Sequence, residues 1–472
     1  MNELWKMGAV EAAAAIHDTE IKPTELVGAV IDRAEEINPH LNAIVLEHYD
    51  RARELAAEAD DAVASGAELG PLHGVPVTIK HNVDVAGDPN PNGVPAFSDL
   101  MATENAPLVD RLTEAGAIVI GRTNTPEFSM RATTDNPLHG RTYNPWGDDI
   151  SPGGSSGGAG AACAAGIGPL HHGNDIGGSL RFPSHANGVM TVKPTSFRVP
   201  VFNSSAPAER GPLAQELSVQ GIIARHAADL RVATELISAP DPRDPISPPV
   251  PWNGPDLDNR KVALTKESGG YPLHPGLVEL LDTAADQLRD AGYDVVEVET
   301  PPIAEAAAGW FGALTTEMRE LFAEPLRSHG SETINEIFAH YFELSNLLDL
   351  PGYLVASGDR TRLKREWSRF LTEYPLVLSP FLMRPFYDWD YDTTGLDAVE
   401  DMFDSAIWST GVNNLGLPAG VIGTGFVEDR PAAIQVIGQR WREDLICDAL
   451  EAIEMRNGIL PPILWDREDA GG

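Results

Sequence analysis

Short apolar runs alternate with amphipathic segments along much of the chain. Runs bounded by glycine or polar residues predict buried strands at 75–79, 117–120, 262–264, 295–298 and 432–437. Residues 8–66 predict helices, and helical spacing of apolar residues recurs at 106–115, 276–291 and 443–455. Because 106–115 separates two strand runs, it predicts a βαβ unit with parallel strands. The pattern indicates an α/β fold with a central, mainly buried sheet and helices on both faces.

We expect a single domain over 1–472, since large α/β enzymes can build one sheet at this length. Its predicted parts are N-terminal helices at 1–66, a core at 67–240, a proline-rich linker at 241–256, and a second half that ends with a strand and a helix within 415–460. Segment 305–391 contains 15 of the chain's 32 aromatic residues. On helices these residues form either ordinary core or a lid over an apolar pocket, and both interpretations stay open.

The charge of the chain is strongly negative, with 70 Asp and Glu against 34 Lys and Arg, a net charge of -36. Such a field repels nucleic acids and anionic membranes, so neither is expected as a partner. Cys163 and Cys447 have no metal or redox spacing, which fits a reducing compartment. The first 19 residues lack the features of a signal peptide, and no run of 18 apolar residues occurs. We expect a cytoplasmic protein, and the sequence leaves a homodimer open.

One lysine stands in an unusual context. The chain has 7 lysines against 27 arginines, and Lys80 follows directly on the apolar run 74–79. Burial lowers the pKa of a lysine, and the neutral amine then acts as a general base. The alternative is a side chain that extends from the strand end to solvent.

Two glycine-serine loops, 151–158 and 173–181, provide candidate nucleophiles. In the second loop, consecutive amides could converge on one point, as an oxyanion hole requires, with Ser179 as the nucleophile. Linkers and phosphate loops share this composition, although the Gly-Lys-Ser/Thr ending of a P-loop is missing. Residues 153–157 also match the G-x-S-x-G elbow of α/β-hydrolases, but a turn-rich loop precedes them where that elbow requires a strand.

The stretch from Gly153 to Ser184 resembles the signature of the amidase signature family. The similarity extends through GVPVTIK at 74–80, GRTNTPEF at 121–128, TTDNPLHGRTYNPW at 133–146 and VKPT at 192–195, and is fainter at 415–420 and 433–440. The lysine and the two serines, which are 24 positions apart, occur in the family's order. The resemblance implies that family's fold, a central mixed and twisted β-sheet covered by helices on both faces.

The same resemblance implies that the protein hydrolyses the C–N bond of a small or medium amide. By it, Lys80 is the base, Ser155 relays the proton, and Ser179 forms an acyl-enzyme. The implied oxyanion hole consists of the amides of Ile176, Gly177, Gly178 and Ser179. The peptide bond between Gly154 and Ser155 is cis in the family. The implied partner is a small-molecule amide, and no metal or other cofactor is implied.

Two positions depart from the family pattern. His81 stands where Asp is common after the lysine, and Asn174 stands where Thr is common before Asp175. We expect His81 to be an ordinary hydrogen-bonding residue, the alternative being an influence on Lys80. Asp175 and Arg181 are expected to pair and brace the second glycine-serine loop, 173–181, which we call the nucleophile loop after its candidate Ser179. Core roles are expected for His171, His172 and Cys163.

The substrate is not determined by the sequence. The aromatic residues at 305–391 favour an apolar or aryl amide, while carbamates and esters fit the same chemistry. The glutaminase-type A subunit of a tRNA-dependent amidotransferase is the alternative within the family. The residues after VKPT differ from the usual continuation in that glutaminase, and the negative charge suits a tRNA-bound assembly poorly. A non-catalytic homologue is disfavoured because all three catalytic residues are present.

Overall fold

The computed structural model describes residues 3–257 and 259–471. Within them, one sheet of 11 strands runs through both halves of the chain, in the order β1-β3-β2-β4-β6-β5-β10-β11-β9-β7-β8. The strands are β1 (Ile44–Glu47), β2 (Pro76–Lys80), β3 (Ile118–Thr123), β4 (Leu170–Asp175), β5 (Met190–Lys193), β6 (Val219–Ala224), β7 (Lys261–Leu264), β8 (Asp294–Glu297), β9 (Leu376–Pro380), β10 (Ala419–Val427) and β11 (Arg430–Gly438).

The helices of the first half connect and cover these strands. They are α1 (Ala9–His17), α2 (Pro23–Leu41), α3 (Tyr49–Ser65), α4 (Pro107–Glu114), α5 (Gly157–Ala164), α6 (Arg181–Asn187), α7 (Pro212–Leu217) and α8 (Ala227–Ile237). The second half contributes α9 (Pro275–Asp290), α10 (Ile303–His329), α11 (Glu332–Leu344), α12 (Leu350–Glu373), α13 (Leu396–Asp404), α14 (Ile407–Leu415), α15 (Glu443–Asn457) and α16 (Pro461–Gly471). Within the described ranges, no helix is long and apolar enough to span a bilayer.

The sheet is mixed, and helices cover both of its faces. The strands of the βαβ unit, β2 and β3, are parallel, whereas β4 pairs with β6 and β10 with β11 in antiparallel fashion. On β11, Ile434 and Val436 pack in one apolar cluster, while Ile437 packs in another with Trp367 and Trp408. Since successive side chains of a strand point to opposite faces, the two clusters are the two cores of the sheet. The expected α/β architecture is confirmed.

Two short strands lie where the sequence predicted helices. Strand β1 interrupts the 8–66 segment and pairs antiparallel with β3 at the edge of the sheet. Strand β9 lies inside the aromatic-rich segment and inserts between β11 and β7. Segment 305–391 is therefore not a helical lid throughout. Both strands are 4 or 5 residues long, too short for periodicity to distinguish them from helix.

The proline-rich segment 241–256 packs along the body of the protein. The Arg198 guanidinium donates to the Val250 and Pro251 carbonyl oxygens at 3.3 and 3.0 Å, and Arg442 donates to the Pro255 carbonyl oxygen at 2.9 Å. The strands that follow it join the same sheet as those that precede it.

Candidate active site

Lys80 and Asp175 are the last residues of β2 and β4, which are parallel neighbours. The carboxyl ends of parallel strands meet at one edge of a sheet, the usual location of a ligand site in open α/β folds. Residues 176–179 follow β4 at this edge, and Ser155 lies just before α5. Sheet pairing thus brings together segments that are far apart in the sequence.

The Lys80 side chain is fully buried. Its Nζ lies 2.7 Å from Ser155 Oγ and 2.8 Å from Asn174 Oδ1. Burial holds the pKa of Lys80 well below its usual value; the charge of Asp175 opposes this shift, and the charge of Arg210 adds to it. This environment favours the neutral amine, which can accept a proton from the Ser155 hydroxyl.

Two asparagines fix the orientation of the Lys80 amine. Asn174 Nδ2 donates to Asn82 Oδ1 at 2.9 Å, so that Asn174 Oδ1 is turned toward Lys80 Nζ. Asn82 Nδ2 in turn donates to Ser129 Oγ at 2.8 Å. The sequence marked Asn174 only as a departure and missed its contact with the lysine. Asn174 is the second-last residue of β4 and Lys80 the last of β2, so the contact depends on the pairing of these strands.

His172 supports the backbone of Lys80. Its Nδ1 accepts the Lys80 amide N–H at 3.3 Å, and its Nε2 lies 2.9 Å from Gln220 Oε1. Burial lowers the pKa of His172 to about 3, so the ring is neutral and can accept at Nδ1. His171 is buried as expected, with Nδ1 at 2.8 Å from Thr78 Oγ1.

The loop around Ser155 packs without spare volume. The peptide bond between Gly154 and Ser155 is cis, as the resemblance implied. A Cβ on Gly154 would come within 2.3 Å of the Arg131 carbonyl oxygen, so only glycine fits. The Ser156 amide donates to the Ser179 carbonyl oxygen at 3.2 Å, which joins the two glycine-serine loops. All residues of α5 are buried, because its glycines and alanines allow close packing.

The nucleophile loop is organised around the Asp175 carboxylate. The Gly178 amide donates to Asp175 Oδ1 at 2.8 Å, and the Leu180 amide donates to Oδ2 at 3.2 Å. Gly178 is therefore not free to bind an oxyanion, although it was among the four predicted donors. In the described part of the chain, the amides of Ile176, Gly177 and Ser179 have no acceptor. Ser179 is partly exposed and accessible to a ligand.

Arg181 pairs with Asp175, as expected. Its Nε donates to Asp175 Oδ2 at 3.0 Å, and both side chains are fully buried. Burial alone would raise the pKa of Asp175, but the charge and hydrogen bonds of Arg181 outweigh it and hold that pKa at about 2. Arg181 also donates to Gln435 Oε1 at 3.0 Å and to the Ser409 carbonyl oxygen at 3.2 Å. The pair anchors the nucleophile loop to β11 and α14.

Replacing Arg181 with methionine is expected to lower the free energy of unfolding by about 3–5 kcal/mol, because it leaves the buried Asp175 charge uncompensated. Equilibrium urea unfolding measures this loss. Arg289→Met is the control, since Arg289 forms an exposed pair with Asp286 at 2.7 Å and such pairs contribute under about 1 kcal/mol. Equal losses in the two variants would contradict a bracing role for Arg181.

Four aromatic residues pack against one another, and we call them the aromatic wall: Trp310, Phe311, Tyr341 and Phe403. Trp310 Nε1 donates to the Ile176 carbonyl oxygen at 2.8 Å, and a Cβ on Gly177 would come within 2.7 Å of the Trp310 ring. Phe403 is central, with ring centroids 4.3 Å from Phe311, 5.1 Å from Tyr341 and 6.2 Å from Trp310. Part of segment 305–391 thus borders the site, while its other aromatic residues, such as Trp367, are core.

His81 is turned toward residues other than Lys80. Its Nε2 lies 3.1 Å from the Pro89 carbonyl oxygen, and its ring centroid lies 5.2 Å from that of His139. Burial lowers the pKa of His81 to about 3. Among the described residues, no group of three His, Cys, Asp or Glu side chains is arranged to hold a metal ion.

The chain is similar to known proteins in sequence and in fold. The family model described as Amidase matches residues 25–447. An indoleacetamide hydrolase of Bradyrhizobium diazoefficiens is 46% identical over 99% of this chain and 89% of its own length. The A subunit of the glutamyl-tRNA(Gln) amidotransferase of Heliobacterium modesticaldum is 29% identical over 95% of this chain and 97% of its own. The crystal structure of a bacterial aryl acylamidase of the amidase signature family superposes with a TM-score of 0.82 and 25% identity, covering 98% of each chain.

Proposed function

The chain belongs to the Amidase family and is an amide-hydrolysing enzyme; on that premise we propose that it hydrolyses primary amides of arylacetic acids, with Ser179 as nucleophile, Ser155 as proton relay and Lys80 as base. The observation that carries the mechanism is the 2.7 Å contact between buried Lys80 Nζ and Ser155 Oγ. The substrate class is supported by the aromatic wall against the nucleophile loop and by the 46% identity to an indoleacetamide hydrolase.

In the acylation step, neutral Lys80 takes the proton of the Ser155 hydroxyl while Ser155 takes that of Ser179. The Ser179 oxygen then forms a bond to the amide carbon, and the carbonyl electron pair moves to oxygen. The free amides of Ile176, Gly177 and Ser179 are the donors for this oxyanion, and Gly178 instead holds Asp175 in place.

Collapse of the tetrahedral intermediate breaks the C–N bond. Ser155 delivers a proton to the leaving nitrogen and regains one from Lys80, so that ammonia departs as a neutral molecule. Water then attacks the Ser179 ester, giving its proton to the same relay, and the products are the carboxylic acid and the free serine. The Asn82–Asn174 pair keeps the Lys80 amine in place through both steps.

The glutaminase alternative finds less support. The amidotransferase relative is 29% identical to this chain, and the indoleacetamide hydrolase is 46% identical. The aromatic wall, whose Trp310 contacts Ile176, also suits an aryl group better than the polar side chain of glutamine. Ammonia release from indole-3-acetamide and from glutamine by the purified chain alone separates the two functions. Turnover of glutamine but not of the arylacetamide would overturn our proposal. Release of phenol from phenyl acetate and from a phenyl carbamate reports ester and carbamate hydrolysis.

Phe403→Ala is expected to lower kcat/KM for indole-3-acetamide about 10- to 100-fold, with a smaller effect on acetamide, because a lost aryl contact weakens binding by a few kcal/mol. Steady-state kinetics on the two amides measure the ratio. Phe370→Ala is the matched control, since it removes an equally half-buried ring that packs on Tyr374 with centroids 5.2 Å apart. A parallel loss on both amides would exclude the wall as an aryl-binding surface.

A further inference from the structure

Arg210 lies in the segment that precedes α7, and several contacts fix this segment. The Gln215 side chain donates to the Arg210 carbonyl oxygen at 2.7 Å. Glu317 of α10 accepts the amides of Leu213 and Ala214 at 3.0 and 2.8 Å. The first turn of α7 is thereby tied to the helix that carries Trp310 of the aromatic wall. Arg210 therefore has a defined position relative to the active site.

The guanidinium of Arg210 is located beside the nucleophile loop. Its Nη1 donates to Ser218 Oγ at 2.6 Å. Ser218 directly precedes Val219, whose antiparallel partner in the β4–β6 ladder is Asp175. Ser218 and Ile176 are therefore each the next residue beyond the last pair of this ladder, at the end of β4 from which the nucleophile loop continues. The charge of Arg210 also contributes to lowering the pKa of Lys80.

Arg210 has no carboxylate partner among the described residues, although the chain has 70 acidic residues. The adjacent Glu209 acts on it only through space. Two other arginines have carboxylate partners. Arg181 is paired with Asp175 at 3.0 Å, and Arg360 is paired with Glu216 of α7 at 2.8 Å. The Arg210 side chain is exposed to solvent. Its remaining N–H groups are therefore accessible to a ligand.

We propose that Arg210, held by Ser218, forms a carboxylate-binding subsite, so that the enzyme also cleaves amides that carry a carboxylate close to the scissile bond. Guanidinium groups bind carboxylates through two parallel N–H···O bonds. The carboxylate of an N-acylglycine is only three bonds from the scissile carbonyl carbon, so it stays close to the reacting atoms. This inference rests on the proposed function, since it extends the same Ser179 chemistry to a second substrate class.

The test compares matched substrates in kcat/KM. On the leaving side, N-(indole-3-acetyl)glycine is compared with N-(indole-3-acetyl)ethanolamine, in which an alcohol replaces the carboxylate. On the acyl side, succinamate is compared with 4-hydroxybutanamide. We expect the wild-type enzyme to prefer the carboxylate in one pair and Arg210→Gln to reduce that preference about 10- to 100-fold. Arg210→Lys should retain only part of it, because the ammonium cannot bind in a bidentate manner. Arg456→Gln, an exposed residue on α15 with the same charge change, should leave the ratio as in the wild type.

The substrate pair whose kcat/KM ratio changes in Arg210→Gln identifies the side of the scissile bond on which Arg210 acts. No preference in either pair, or a preference that Arg210→Gln leaves intact, would overturn the subsite. Binding of N-(indole-3-acetyl)glycine to Ser179→Ala, measured by calorimetry with and without Arg210→Gln, adds a readout independent of turnover, and about a tenfold loss of affinity is expected. If indole-3-acetamide itself is not hydrolysed, the proposed function fails, and this binding experiment still decides the subsite.

Discussion

Ser179→Ala is expected to lower kcat/KM for the amide substrate by about 10⁴-fold or more, because the variant lacks the atom that attacks the carbonyl carbon. The free amides of Ile176, Gly177 and Ser179 remain, so a small residual rate over water can persist. The folded structure should be retained, since no side-chain hydrogen bond of Ser179 supports the loop in the described residues. Kinetics with indole-3-acetamide measure the loss.

Covalent labelling provides the second readout for Ser179. A fluorophosphonate should add one equivalent to the wild-type protein at Ser179, seen by intact and peptide mass spectrometry, and none to Ser179→Ala. Ser184→Ala is the matched control, because it removes a buried hydroxyl that donates to the Leu180 carbonyl oxygen at 2.9 Å in the adjoining helix. We expect it to remain active and labelled. Labelling of Ser179→Ala at full rate would show that another residue is the nucleophile.

Lys80→Met is expected to reduce kcat/KM by about 10³- to 10⁴-fold, because it removes the base while preserving much of the side-chain volume. The variant leaves Ser155 Oγ and Asn174 Oδ1 without the amine, each at a cost of about 1 kcal/mol or more, so the protein should still fold. Lys193→Met is the matched control, since Lys193 is also fully buried at a strand end and donates to the Pro194 carbonyl oxygen at 2.9 Å. We expect the kcat/KM of Lys193→Met to fall by less than about tenfold.

The pH dependence follows from the direction of the Lys80 shift. Only the neutral amine accepts a proton, so kcat/KM should fall as the pH is lowered through the pKa of Lys80. Because burial lowers that pKa, the acid limb should lie well below the pH at which an exposed lysine titrates. The residual activity of Lys80→Met should lack this limb. An unchanged acid limb in that variant would assign it to another group.

Much of the site could be anticipated from local sequence. A lysine at the end of a buried apolar run and two glycine-serine loops identified Lys80, Ser155 and Ser179 as candidates, and the resemblance to the family assigned their roles. The structure brings Lys80 and Ser155 within hydrogen-bond distance and joins the two loops through Ser156. The pairing of Asp175 with Arg181 could also be predicted, because the two residues are only six positions apart in the same short segment.

The residues that position the Lys80 side chain and backbone could not be predicted from local sequence. Asn82, Asn174 and His172 contact Lys80 or each other across 92 to 94 positions. Their proximity depends on the parallel pairing of β2 with β4, which no local pattern specifies. The occupation of the Gly178 amide by Asp175 likewise depends on the path of the loop rather than on its composition.

The sequence by itself determined the fold class, the strands of the βαβ unit, the unusual position of Lys80 and the two glycine-serine loops, because apolar periodicity and glycine content act over a few neighbouring residues. The resemblance to the family then assigned catalytic roles to Lys80, Ser155 and Ser179. Only the tertiary structure decided that β1 and β9 are strands, that Trp310 lies against the nucleophile loop, and that Arg210 is bonded to Ser218 without a counter-ion among the described residues. It also decided the direction of the Lys80 pKa shift, since the pKa of a lysine depends on how completely distant parts of the chain exclude water from it.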